Sequence, residues 1–381
     1  MKLLPLLLLS TLLLSTIISC RPNGELQRLL KTYPVSSEEA CNAKDGYWYK
    51  DKCWAHFNEI SPYISETSID SIAQAQYEQI NNSPMTINDK PYPIHFFMPE
   101  MSDEGFMFVT SCQTDDGPKT LILLTPTFKA PYPKQAKGQG LFLNGNALEI
   151  MSENTSSDDI PKYLEAEGEM DIDVSNFEEG IIRVKGTLNS SKSDSSIQIS
   201  YTTNEALGGA GDSKIEVKNN EAILNGTLGT VTYIQIKNLI QEHPNIKTLV
   251  LDQVPGSIND AINMHTGRLV REHGFTTKVN ATSDIASGGV DLFCAGVQRI
   301  VHQGAKIGIH SWGAMSFTAT DLPQDHPGHQ AQIDYFTLCL GKEKGKAFYF
   351  RTLEAAPFDD IHYMSDSAIQ AWTVSTKFIG K

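Results

Sequence analysis

From Ala222 onward, short apolar runs of strand type alternate with segments of helical period, and this alternation constrains the fold more tightly than any other feature of the chain. Ala222-Ile223-Leu224-Asn225-Gly226 reads as a strand. Thr232 stands where it can cap a helix whose apolar residues Ile236, Leu239 and Ile240 keep helical spacing, and Pro244 follows its end. Lys247-Thr248-Leu249-Val250-Leu251-Asp252 is a strand of the buried type. The turn Pro255-Gly256-Ser257 leads to a second helix through Ile258, Ile262, Leu269 and Val270, closed by Gly274. Thr277-Lys278-Val279 is the next strand, Ser287 to Arg299 the next helix, and Ala305-Lys306-Ile307-Gly308-Ile309-His310 the strand after it. Strands joined by crossover helices imply an α/β unit with a largely parallel sheet over 215–381.

The preceding half carries a different pattern. Phe96-Phe97-Met98, Phe106-Met107-Phe108-Val109 and Thr120-Leu121-Ile122-Leu123-Leu124 are short β-prone runs broken by Gly, Pro and Asp. Ile181-Ile182-Arg183-Val184 and the alternating Ser196-Ile197-Gln198-Ile199-Ser200-Tyr201 continue it, and the acidic stretch Met151 to Asp159 upstream of them reads as a solvated loop. Residues 41–207 are therefore expected to form a smaller β-rich domain, with Gly208-Gly209-Ala210-Gly211-Asp212 as the linker to the α/β half. A length of 381 residues agrees with two domains, and 40% hydrophobic content suffices for packed cores.

The first residues give an address. Lys2 precedes the run Leu3 to Ile18, almost all Leu, Ile, Ser and Thr, which is too short and too early for a lasting transmembrane helix and fits a secretory signal. The run ends in Ile17-Ile18-Ser19-Cys20, which resembles the lipobox of bacterial lipoproteins. That resemblance implies a signal peptide over 1–19, cleavage before Cys20 and lipid on that cysteine. The alternative is an ordinary signal peptide followed by a chance Cys. Arg21 rather than Asp stands second, so the likeness to Gram-negative lipoproteins implies the outer membrane, facing the periplasm. Residues 20–40 would be a tether. Export permits disulfides. Of six cysteines, Cys41 and Cys53 flank a Gly- and aromatic-rich segment and are expected to pair, whereas Cys112, Cys294 and Cys339 sit in apolar stretches as buried thiols. The net charge of −14 argues against nucleic acid and anionic lipid surfaces as partners.

Three features of the α/β half carry candidate chemistry. Ser287-Gly288-Gly289 falls where a strand gives way to a helix, so a serine there meets free N–H groups at the positive end of the helix dipole. Its plain reading is a structural cap. His310 ends an apolar strand, where a lone histidine is usually structural. Gly256-Ser257 follows a buried strand, and in open α/β sheets ligands bind at such carboxyl ends.

Together these residues resemble the Clp protease proteolytic subunit and the crotonase superfamily over about Ala222 to Val374. The turn Val254-Pro255-Gly256-Ser257, the stretch Ser287-Gly288-Gly289 through Gly296-Val297-Gln298-Arg299, His310, and the late segment His362-Tyr363-Met364-Ser365 carry the likeness; His310-Ser311-Trp312 is shared with periplasmic members of the group. It implies a spiral of ββα units and a serine hydrolase, a peptidase by analogy. Ser287 would be nucleophile, His310 general base and Asp360 the third triad member, with Asp359 as alternative. Gly256, Ser257 and Gly288 would form the oxyanion hole. A peptide or small acyl substrate, no cofactor and a homo-oligomer are implied too. The pattern departs at Ser257, where the family carries a second glycine. The same fold hosts acyl-CoA hydratases and isomerases, so fold alone does not give the reaction. A chain that kept the fold and lost the chemistry, acting in binding or envelope assembly, is the other reading.

One rival constellation remains. His326-Pro327-Gly328-His329, with Asp321 and Asp325 nearby, has histidines at a spacing that can bind zinc, but no further ligand follows; a loop flanking the site is expected and no metal. The run Phe348-Tyr349-Phe350 reads most simply as core, with lining of a substrate groove as the alternative.

Overall fold

The computed structural model describes residues 30–44, 46–55, 66–101, 105–128, 131–150, 160–314 and 317–380. The signal segment, Cys20, the first half of the tether and the stretch 151–159 lie outside the described residues. Two compact units form: residues 74–212, and the described residues up to Ala73 together with those from Ser213 on. The expected β-rich domain therefore begins later than residue 41.

The expected tether and disulfide segment is a small folded knuckle of the second unit. Strand β1 (Thr32–Tyr33) and helix α1 (Glu38–Asn42) precede the hairpin β2 (Tyr47–Tyr49) and β3 (Lys52–Trp54). β1 pairs with β3, Thr32 opposite Trp54. Cys41 and Cys53 are joined as a disulfide. Gly46 lies against both sulfurs, where a Cβ would come within 2.5 and 2.8 Å of them.

The first unit is an eight-stranded closed barrel: β4 (Pro84–Ile87), β5 (Lys90–Met101), β6 (Phe106–Thr114), β7 (Gly117–Thr125), β8 (Ala136–Asn144), β9 (Leu164–Asn176), β10 (Ile181–Ser190) and β11 (Ser196–Thr202). Each strand pairs antiparallel with the next, and β11 returns to β4. The unbroken apolar runs of β6 and β7 are buried on both faces: Met107, Val109, Ile122 and Leu124 pack in a second small core with Ala147, Ile150 and Ile160. β11 alternates between buried and open positions, as expected of a strand wet on one face.

The second unit is α/β. β12 (Lys214–Lys218) and β13 (Glu221–Asn225) form a hairpin, and helix α2 (Thr230–Glu242) follows. Thr232 is not its cap but its third residue, accepting from the Gly229 N–H at 3.0 Å. Next come β14 (Thr248–Leu251), the short β15 (Gln253–Val254) and α3 (Asp260–Glu272). Then β16 (Thr276–Val279), the short β17 (Asp284–Ala286) and α4 (Gly288–Cys294) follow, and then β18 (Gln298–His302) and β19 (Lys306–Ile309). Helices α5 (Gln330–Leu340) and α6 (Lys342–Ala355), then β20 (His362–Tyr363), a short helix Asp366–Ala371 and β21 (Lys377–Ile379), follow.

Two sheets result. β13, β14, β16, β18 and β21 run parallel in one, with β12 antiparallel at its edge; β15, β17 and β19 run parallel in the other, with β20 antiparallel. Leu249, Leu251, Phe275, Phe293 and Ile307 are fully buried in its core. Each such side chain contributes about 1.5–3 kcal/mol.

The helix after Ser287 stops sooner than expected. Gly296 packs so closely that a Cβ would meet Thr277 Oγ1 at 2.2 Å, and the chain turns into β18 there. Arg299 is thus a strand residue. Its buried guanidinium donates to the carbonyls of Val374, Gly296 and Thr373. Cys112, Cys294 and Cys339 are buried free thiols, and Phe348 and Tyr349 are core.

Candidate active site

The short sheet assembles the candidate residues. Val254 on β15 pairs with Ile285 on β17, and Ile285 with Ile307 on β19. The three strands end side by side, and each is continued by residues singled out in the sequence: Gly256-Ser257 after β15, Ser287 after β17, His310 after β19. Neighbouring strands lie about 4.8 Å apart, so the register itself gathers these residues at one carboxyl edge.

Ser287 adopts φ 51°, ψ −127°. A non-glycine residue held there carries strain of about 1–3 kcal/mol. The chain passes from β17 into α4 at this single residue, and the Ser287 N–H donates to Gly308 on β19 at 3.0 Å. Gly256 faces its side chain: a Cβ added at Gly256 would come 3.2 Å from Ser287 Cβ. Gly288 admits no side chain, because a Cβ would meet Ser257 Oγ at 2.2 Å. The turn after β15 and the start of α4 therefore touch. Among the described residues, no acceptor lies on the N–H groups of Gly256, Ser257 or Gly288.

His310 is held from behind. Its Nδ1 is 3.0 Å from the Phe358 carbonyl oxygen, which fixes Nδ1 as the protonated nitrogen and leaves Nε2 as the base. The expected carboxylate is not there. Asp360 accepts the N–H of Ile361 at 2.7 Å, and among the described residues neither it nor Asp359 bonds the ring. The physical reason is local: the 357–361 turn presents its main chain to His310 while the Asp360 side chain folds back on the next peptide. Ser287 Oγ and His310 are not hydrogen-bonded to each other, but both border one recess of about 30 Å³, room for about one water.

Two acids that sequence reasoning missed line the same recess, Asp260 on α3 and Asp291 on α4, beside Trp312 and Gln332. Asp260, the first residue of α3, is solvent-accessible and borders the recess. Desolvation by the surrounding groups pushes its carboxyl above the usual range, opposed by the Ser257 hydroxyl, which donates to it, and by the charge of His310. Burial, then the neighbouring Asp260 charge, hold the Asp291 carboxyl well above that range. An acid in the first turn of a helix is too common to signal such a role. Trp312 is braced by Tyr349, whose hydroxyl accepts its Nε1–H at 2.8 Å.

The His326–His329 pair serves packing. His326 stands edge-on to Trp54 at 4.4 Å and its Nδ1 accepts from the Gly328 N–H, while His329 Nδ1 pairs with the Tyr349 hydroxyl at 2.6 Å. Burial lowers His329 to about 4. Among the described residues, no three His, Cys, Asp or Glu side chains gather as metal ligands. A larger groove of about 940 Å³ on the barrel is lined by Lys137, Asp171, Asp173 and Arg183, whose charges pair among themselves.

No family model matches the sequence, and no curated protein matches it. Solved structures with a partial likeness include an enoyl-CoA hydratase from Bacillus anthracis, at 10% identity over 44% of this chain and 70% of that one, with a TM-score of 0.31. A putative enoyl-CoA hydratase/isomerase (crotonase) from Legionella pneumophila shows 11% identity over 45% and 71%, with a TM-score of 0.29. A putative polyketide biosynthesis enoyl-CoA hydratase from Bacillus subtilis shows 9% identity over 44% and 70%, with a TM-score of 0.29. At such identities and scores the likeness bears on no residue and no reaction. The class that the site itself defines is an α/β protein with a strained serine, a histidine and unused N–H groups at one sheet edge.

Proposed function

We propose that this protein is a serine hydrolase, a peptidase or related acyl hydrolase of the Clp protease and crotonase type. The observation that carries the reading is Ser287 at φ 51°, held between a strand and a helix beside the turn that bears Gly256. Backbone strain at a single serine fits a nucleophile and is hard to justify for a cap, since a cap adopts extended angles at no cost.

The roles follow from the geometry. Ser287 Oγ attacks the substrate carbonyl as its proton passes to His310 Nε2. The N–H groups of Gly288 and of the Gly256-Ser257 turn bind the oxyanion, each such donor contributing about 3 kcal/mol to lowering the barrier. His310 then protonates the leaving group, and water releases the acyl group from Ser287 by the reverse steps. The carbonyl of Phe358 sets the tautomer. With the signal segment and Cys20, the reading places the enzyme on lipid in the bacterial envelope, at the outer membrane and facing the periplasm, away from cytosolic coenzyme A. Peptides or small acyl compounds are its proposed substrates, and a homo-oligomer its proposed state.

A fluorophosphonate probe should label Ser287 in the folded protein, and Ser287→Ala should abolish labelling; an unlabelled wild type ends this reading. The second reading, a binding or assembly lipoprotein without chemistry, is favoured by the absence of a carboxylate behind His310 among the described residues. It requires that Ser287→Ala and His310→Ala leave the cellular role intact.

A further inference from the structure

Asn263 lies on α3 and is 1% exposed, flanked by the buried apolar residues Ile262 and Met264. Its Nδ2 donates to the Gly288 carbonyl at 2.9 Å, across 25 positions of sequence. Its Oδ1 is buried with no hydrogen-bond partner. A buried amide with half its capacity unused weakens a fold, and an apolar side chain of the same size would not. Such a residue points to a role other than stability.

The place of the bond gives that role. Ser287 keeps its left-handed backbone only if the surroundings over-determine it. On one side the Ser287 N–H is fixed by Gly308 at 3.0 Å. On the other, the next carbonyl but one in the chain direction, that of Gly288, is fixed by Asn263. The two bonds bracket the strained residue and the peptide whose N–H faces the developing oxyanion. The same side chain touches the space a Gly288 Cβ would need, 3.0 Å from Nδ2, so α3 and α4 are in contact at this point.

We propose that Asn263 is a positioning residue of the oxyanion site: through the Gly288 carbonyl it holds the Ser287–Gly288 turn in the geometry that aims the Gly288 N–H at the reacting oxygen. This rests on the hydrolase reading. Asn263 touches no substrate; it acts through Gly288.

The test uses the full chain and a fluorophosphonate probe, with the kinetics separated into reversible binding and bond formation. Asn263→Leu keeps the branched shape and removes the donor. Asn263→Asp keeps shape and sets an acceptor against the carbonyl. Bond formation should slow about ten- to a hundredfold in Asn263→Leu, and at least as much in Asn263→Asp, with reversible binding unchanged. The melting temperature of Asn263→Leu should hold or rise. Asn263→Ser, which retains a shorter donor, should fall between wild type and Leu. A folded Leu variant that reacts at the wild-type rate overturns the proposal, as does a loss that only tracks the unfolded fraction, or failure of all three variants to fold. Labelled wild type with equally reactive variants removes only the role of Asn263; an unlabelled wild type removes the hydrolase reading and this role with it.

Discussion

His310 Nδ1 rests on the carbonyl oxygen of Phe358 at 3.0 Å, while the Asp360 carboxylate is spent on the N–H of Ile361. A carbonyl orients the imidazole as a carboxylate would but offsets less of the charge it gains on taking a proton. Asp360→Asn should therefore leave probe labelling within about twofold of wild type, whereas His310→Ala should lower it by about 10²–10⁴. Equal losses in the two variants would restore Asp360 to the triad.

Ser287→Gly should stabilise the fold. Glycine adopts φ 51° without the penalty that serine carries, so the variant should gain about 1 kcal/mol over Ser287→Ala, which keeps a Cβ in the same conformation. Chemical denaturation of the two variants measures the difference, and neither should react with the probe. No gain would mean that the backbone there is relaxed.

Gly288→Ala should cost about 1–3 kcal/mol, because its methyl would stand 2.2 Å from Ser257 Oγ and 2.6 Å from Ser257 Cβ. Ser257→Gly, which supplies the glycine of the family pattern, should recover part of that loss. A double-mutant cycle reads the coupling. Strict additivity of the two changes would show that the two loops do not touch.

Asp291 gives the pH dependence a sign. Its folded pKa lies above the unfolded value, so its contribution to stability is fully present below the unfolded pKa, near 3.8, and is lost as pH rises through the raised value. Asp291→Asn should accordingly melt higher than wild type at about pH 7, and the gap should close towards about pH 4. Melting curves at the two pH values decide it; an Asn variant less stable at neutral pH would mean that the carboxylate is charged and paired.

The main alternation of strands and helices from Ala222 to His310 was legible because buried strands and amphipathic helices differ in period, whereas the short β15 and the strand β18 were not read. So was the placing of Ser287 and His310 at strand ends, since topology alone brings the ends of parallel neighbours together. The end of α4 was not legible: the contact of Gly296 with Thr277 that stops it joins residues 19 apart in sequence and leaves no local trace. Nor was the support of His310, because a carbonyl has no signature in the sequence and the Asp359-Asp360 pair offered a more conspicuous candidate. The helix Glu66–Asn81 and the closure of the barrel went unread as well. Closure depends on the pairing of β4 with β11, Ile87 opposite Ile199, which no short-range pattern encodes.

That pairing has a consequence for how barrels could associate. A sheet whose last strand is bonded to its first presents no row of vacant amides and carbonyls along a free margin. Chains brought together at high density thus find no template in this unit for adding strand to strand.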